Sequence, residues 1–497
     1  MKKIYALLFI SLLSTTINAQ WNQLGIDIDG EAANDFSGSS VDLSSDSLTI
    51  VIGARSNTGN GINAGHARVF KSIGGTWIQQ GGDIDGEAAG DQSGVSVSIS
   101  ADGSTVAIGA FENDGNGTFS GHVRVYKFIS GVWTQQGSDI DGENAFDFSG
   151  ESVQLSADGL TIAIGADGND GNGVDAGHVR VYQFISGAWT QLGGDIDGEA
   201  SNDNSGFSVS LSSDSLVVAI GAFGNDGNGV NAGHVRVYKL VGGVWTQQGG
   251  DIDGEAANDF SGFSVSLSSD GLTVAIGAPT NSGSGFRAGH VRIYKFSRGV
   301  WTQQGGDIDG EAANDFSGYS VDLSSDGLTV AIGATGNTGN GQDAGHARVY
   351  SLIGGVWIQL GSDFDSEAAN DFSGFSVSLS SNGLTLAIGA LENDGNGPNA
   401  GHARVYSMSS VVGILEVNSL FKDVSVFPNP NKGIVNINLG NLNKASVRVF
   451  SISGKLIYQK MNISESIFKF ELKEASGIYF IEIITREQSQ HYPLIIE

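Results

Sequence analysis

The chain has 497 residues, 54 Asp and Glu against 25 Lys and Arg, a formal net charge of −29 and no cysteine. So acidic a composition excludes nucleic-acid binding, which needs a basic surface, and argues against anionic membrane surfaces. Without thiols there are no disulfides and no thiolate metal sites.

In chain order, Lys2-Lys3, an apolar run over 4–13 and Ile17-Asn18-Ala19 before Gln20 predict a secretory signal peptide over residues 1–19. The run is too short to cross a bilayer as a helix. From there the chain repeats. Tryptophan falls at 21, 77, 133, 189, 245, 301 and 357, and a Gly-His pair keeps the same 56-residue period at His66, His122, His178, His234, His290, His346 and His402. Such a period signals a solenoid, a propeller or an array.

One unit, 245–300, contains four predicted strands. SVSLS at 264–268 alternates and ends at Ser269-Asp270-Gly271; LTVAIGA at 272–278 is rich in β-branched residues; HVRIYKF at 290–296 alternates again; VWTQQ at 300–304 is the fourth. No part of the unit has helical periodicity. Seven such units predict an all-β chain whose main body, residues 20–412, is a seven-bladed β-propeller. With strand A innermost, the A–B and C–D connections are tight turns on one face. The B–C loops (NDGNG at 113–117) and the D–A loops (DIDGEAANDFSG at 251–262) are long and share the other face. Loops on a rigid scaffold are where function usually sits. Six units are followed by a tryptophan strand and the seventh is not, so residues 21–24 are expected to supply the missing outer strand and close the ring, leaving few free edges.

Charge is uneven. Residues 20–412 hold 46 acidic and 14 basic side chains, whereas those after 412 hold 8 and 9. The repeat register is lost at 413–424, expected to be a linker. Residues 425–497 have short alternating segments that predict a small C-terminal β-sandwich.

Asp259-Phe260-Ser261-Gly262-Phe263-Ser264-Val265, Asp270-Gly271 and Gly277-Ala278-Pro279 resemble the FG-GAP repeat of integrin-α-type propellers. Serine stands where that family has the phenylalanine of Phe-Gly, and only Pro279 completes Gly-Ala-Pro. Phe427-Pro428-Asn429-Pro430, Gly433, the segment 447–451, Gly454-Lys455 and Gly477-Ile478-Tyr479 resemble the type A sorting domain of the Bacteroidetes type IX secretion system. The terminal Ile495-Ile496-Glu497 lacks the usual closing lysine. That resemblance implies passage across the outer membrane and contact with the type IX machinery, followed by release or surface attachment.

The D–A loops carry acids at relative positions 1, 3, 5 and 9 in every repeat. These are Asp27, Asp29, Glu31 and Asp35; Asp83, Asp85, Glu87 and Asp91; Asp139, Asp141, Glu143 and Asp147; Asp195, Asp197, Glu199 and Asp203; Asp251, Asp253, Glu255 and Asp259; Asp307, Asp309, Glu311 and Asp315; and Asp363, Asp365, Glu367 and Asp371. Alternate carboxylates on one loop suit calcium, which takes six to eight oxygens. The integrin-type calcium loop lies instead between strands A and B, with glycine at position 6; here glycine is at position 4, and serine in the seventh repeat. The competing reading is that these acids cap turns, pair with the repeat arginines or face solvent. The Gly-His-x-Arg rows are read as inter-blade hydrogen-bonding residues rather than a metal ring, since each histidine is alone in its blade. The NDGNG loops carry no lysine and open no helix, so they are turns and not phosphate cradles.

No nucleophile–base pair stands out, and the chain is not read as an enzyme. It is expected to be a secreted or cell-surface monomer with no membrane span. Its role would be binding or adhesion, presenting an acidic, calcium-holding loop face to extracellular glycans or proteins. Two other readings stand beside this: a carbohydrate-active enzyme with acids in the central funnel, for which Glu112, Glu151 and Glu392 are scattered candidates, and a structural surface or matrix component.

Overall fold

A computed structural model describes residues 20–409, 424–427, 432–440, 442, 444–451, 455–472, 477–485 and 489–496. The expected signal peptide, nearly all of the expected linker, Pro428 and Gly454 lie outside the described residues. Every regular element among those residues is a β-strand. Contacts divide the chain into two units, Met1–Ser409 and Ser410–Glu497.

The first unit is seven antiparallel sheets, each ordered A-B-C-D from the inside out. In the fifth blade the strands are Ser264–Leu267, Thr273–Ala278, His290–Ser297 and Val300–Gln303, close to the expected bounds. The seventh blade takes its outer strand from the N-terminus. Gln20–Gln23 runs antiparallel to His402–Ser409, with Trp21 opposite Met408 and Gln23 opposite Tyr406. Each blade also gains a fifth strand of two residues that sequence reading did not find. In the fifth, Ile308–Asp309 folds back from the D–A loop to put Asp309 opposite His290. Two residues are too few to show alternation.

The propeller core lies in the seams between blades. Val51 and Val69 of the first blade pack against Val97, Ile99, Val106, Ile108 and Trp133 of the second, and comparable clusters fill the other seams. Strand B is buried along its whole length in the fifth blade and at every residue but Thr329 in the sixth, which is why it reads as a continuous apolar run. Its glycine is required there: a Cβ on Gly109 would fall on the carbonyl oxygen of Gly150 in the next blade. The tryptophans stitch the outer edge. Trp133 Nε1 donates to Gln80 O at 2.6 Å, and Trp21 Nε1 to Leu360 O at 2.9 Å across the closure. The indole of Trp133 lies against Gly81 (φ 81°), where a Cβ would come within 2.8 Å of Cδ1. Burying each large apolar side chain contributes roughly 1.5–3 kcal/mol.

Strand A has no sheet neighbour on its inner side, and side chains substitute for one. Asp42 accepts from Ile99 N at 2.8 Å, Ser98 Oγ from Leu155 N at 3.0 Å, Asp322 from Leu379 N at 2.6 Å and Ser378 Oγ from Leu43 N at 3.0 Å. This polar belt satisfies backbone groups that would otherwise be orphaned. Burial raises the Asp42 carboxyl to about 6 and that of Asp322 to about 7.

In the second unit, a three-stranded sheet (Ser425–Phe427, Ile434–Asn438, Ile467–Glu471) and a four-stranded sheet (Leu456–Ile463, Ala445–Ser451, Gly477–Ile484, Ser489–Ile496) share one core. Val435, Ile437, Val447, Val449, Phe468 and Ile481 belong to it, as expected of a sandwich.

Candidate functional site

Strand A begins, and strand B ends, on the face that carries the long loops. Two side chains per blade therefore meet at the mouth of the central channel: the residue after Ser-Gly and the residue after Gly-Ala. The first set is Ser39, Val95, Glu151, Phe207, Phe263, Tyr319 and Phe375; the second is Arg55, Phe111, Asp167, Phe223, Pro279, Thr335 and Leu391. These columns vary where most of the repeat does not. Four consecutive blades supply an aromatic arc, with Phe207–Phe263, Phe263–Tyr319 and Tyr319–Phe375 centroids each 4.9 Å apart. Phe223 meets Phe207 edge-on at 4.7 Å, and the Arg55 guanidinium lies 5.8 Å from the Phe375 centroid. A concavity of about 310 Å³ opens here, lined by Arg55, Tyr319, Phe372, Phe375, Leu391 and Glu392 among others.

The acids of this mouth are strongly perturbed. Burial, with the Asp167 and Glu112 charges adding and Arg55 opposing, pushes Glu151 up to about 8. Burial likewise raises Asp167 to about 7 and the Tyr319 phenol to about 12. Glu392 is raised by burial and drawn down by Arg55. Glu112, Glu151 and Glu392 are far apart in sequence, yet all belong to this one electrostatic neighbourhood. Sequence reading missed Arg55, Asp167 and the aromatic arc. Aligning the seven units column by column, and asking which columns vary, would have found them.

The loop acids are distributed differently from the expected calcium cradle. Position 9 (Asp35, Asp91, Asp147, Asp203, Asp259, Asp315, Asp371) is buried in every repeat. Its carboxylate accepts the N–H three residues back, as Asp259 does from Ala256 at 2.9 Å, and commonly a B–C loop amide, as from Asn281 at 2.8 Å. These are turn caps. Position 1 accepts from the strand-D glutamine, Gln247 Nε2 to Asp251 Oδ1 at 2.6 Å. Position 3 gives its carbonyl to the arginine of the next blade, Arg292 Nη2 to Asp253 O at 2.7 Å. Position 5 pairs with that same arginine, Glu255 Oε1 lying 3.5 Å from Arg292 Nη1. One loop therefore does not gather its four acids around a single point. Instead the glutamate of one loop and the first aspartate of the next converge on the histidine between them, as in Glu199, His234 and Asp251. The arginines make the expected inter-blade contacts, whereas the histidines do not. Nε2 of His66, His122, His178, His234, His346 and His402 is buried without a hydrogen-bond partner.

Two family models match. Residues 365–406 match the FG-GAP repeat and residues 425–497 the secretion system C-terminal sorting domain. No curated protein matches the chain. Similar solved structures include a candidate 6-phosphogluconolactonase from Bacteroides uniformis (12% identity, 70% of this chain and 90% of that one, TM-score 0.48). Others are the Dos1 propeller (13%, 79% and 95%, 0.43) and the GH74 xyloglucanase of Xanthomonas campestris (12%, 77% and 55%, 0.42). No helix among the described residues is long and apolar enough to cross a membrane. Residues 20–409 thus form a seven-bladed β-propeller with an FG-GAP repeat match in its last blade, and the C-terminal sorting-domain match over 425–497 indicates secretion or outer-surface localisation.

Proposed function

We propose that this secreted propeller is a glycan-binding protein and that its ligand sits at the channel mouth. The observation that carries the reading is the aromatic arc from Phe207 to Phe375, which is partly buried and confined to four of the seven blades. Aromatic faces stack on the apolar faces of sugar rings, and Arg55, Glu151 and Glu392 offer the few polar groups that fix orientation. A glycan screen with the full chain, repeated with Phe263→Ala and Tyr319→Ala, tests this.

A second reading is favoured by one observation. Burial raises Glu151 to about 8, with the Asp167 charge adding, and a raised carboxyl influenced by a second acid is what a glycoside-cleaving general acid requires. Release of reducing ends from a bound glycan, abolished by Glu151→Gln, would favour catalysis over binding. Binding that survives with no product would leave the lectin-like reading standing. Calcium, which the loop acids suggest by donor type, enters the experiment below as a competitor.

A further inference from the structure

We propose that the propeller carries seven equivalent sites for a divalent transition-metal ion of the zinc class, one at each blade seam. Each would be built from the strand-C histidine Nδ1, the position-5 glutamate of the loop before the blade and the position-1 aspartate of the loop after it. Clusters of this composition occur around His66, His122, His178, His234 and His402, each with its donor atoms within 4.8 Å of one another; they include Glu31–His66–Asp83, Glu143–His178–Asp195 and, across the ring closure, Glu367–His402–Asp27.

The imidazole Nδ1 atoms face the acids. His66, His122 and His290 are 1–2% exposed, and Nδ1 of each lies 3.9 Å from the preceding glutamate Oε2. His402 Nδ1 lies 3.9 Å from Asp27 Oδ2 and is buried with no hydrogen-bond partner. These separations are too long for hydrogen bonds. They leave room for an ion: donors 3.9 Å to at most 4.8 Å apart surround a centre about 2.3–2.8 Å from each, which a small inward movement brings to a divalent metal–ligand distance.

Each carboxylate is also oriented by a second group. The strand-D glutamine holds one oxygen of the aspartate, as Gln247 holds Asp251 Oδ1 at 2.6 Å. The arginine two residues past the histidine holds one oxygen of the glutamate, as Arg68 Nη1 approaches Glu31 Oε1 at 3.7 Å while Oε2 faces His66. Outer groups that tie one oxygen and free the other are the usual support of a metal ligand. An imidazole donor with two carboxylates suits zinc and its neighbours; calcium prefers oxygen alone. A concavity of about 470 Å³ is lined by Asp195 and Glu199, acids of two successive clusters, together with Arg236.

The test uses the purified full chain, stripped with chelator and titrated with zinc, manganese or calcium while heat and bound metal are measured. Zinc should bind with a stoichiometry approaching seven and raise the melting temperature. Changing one site, by His234→Gln or by the double change Glu199→Gln and Asp251→Asn, should remove one equivalent. The acid pair is exposed, so that variant decides the matter if the histidine variant misfolds. Absence of zinc binding at micromolar concentration, a stoichiometry unchanged in the acid-pair variant, or calcium binding more tightly than zinc and indifferent to His234→Gln would overturn the proposal. Glycan binding is read separately, so either result leaves the channel-mouth reading to its own test.

Discussion

Glu151 occupies a position that in three following blades is Phe and in another Tyr, and that substitution sets the chemistry of the mouth. It also sets a pH dependence. Folded Glu151, Asp167, Asp322 and Asp42 hold protons up to about 8, 7, 7 and 6, whereas the unfolded chain releases them near ~4. The folded state thus binds more protons across that window, and stability falls as pH rises through it. The buried histidines have the opposite sign. With pKa values lowered to about 4, they refuse protons that the unfolded chain takes up below 6.5, so stability also falls as pH drops from 6.5 toward 4. In metal-free buffer the melting temperature should peak near pH ~6.5, and Glu151→Gln should flatten the alkaline side and steepen the acid side, because folded Glu151 holds its proton across the whole window. Melts from pH 5 to 8.5 check this; a wild-type curve still rising at pH 8, or an alkaline limb untouched in the variant, contradicts it. At this scale the sequence was only half legible. The acids were visible as types, but Asp259 and Asp251 look alike in the repeat while one is a buried cap and the other an exposed carboxylate. Their fates depend on which neighbouring blade supplies the partner, and spacing within one loop holds no record of that.

Strands were legible because alternation and turn residues are local signals, and seven copies repeat them. The closure was legible by counting tryptophan strands. The two-residue strand Ile308–Asp309 was not, since its partner lies in the C strand and its own length carries no period. Closure makes a quantitative prediction. Trp21 contributes its hydrogen bond to Leu360 O and an edge-on contact with Phe364 at 5.3 Å. Trp21→Ala should therefore destabilise the whole propeller by about 2–4 kcal/mol, and removing residues 20–25 by more. Both should show as a lower melting temperature of a single transition. A second, smaller transition with the main one unmoved would mean that the seventh blade frays alone and that the ring does not depend on it. At the seams, Gly109→Ala should cost at least as much as a core cavity, because the new methyl meets the Gly150 backbone and not a movable side chain.

For the molecule as a whole, the 56-residue period made the architecture readable, while the proposed site lies where the period is broken. A repeat advertises what is shared, so sequence reading settled on the loop acids; the mouth is built from the columns that differ, and only the ring brings those columns together. The tail is separable in the same sense. With its own core and its own sheets, residues 425–497 should be dispensable for folding, so a chain ending at 412 should melt like the full one yet fail to reach the cell exterior. Normal levels of the truncated chain outside the cell would contradict that. The central claim is the glycan site, and the most direct measurement is affinity for the best ligand of a glycan screen, compared between the full chain and Phe263→Ala/Tyr319→Ala at matched thermal stability. The account predicts that the double variant loses about tenfold or more in affinity, the worth of one or two well-packed aromatic contacts. Equal affinity in the two proteins would contradict it.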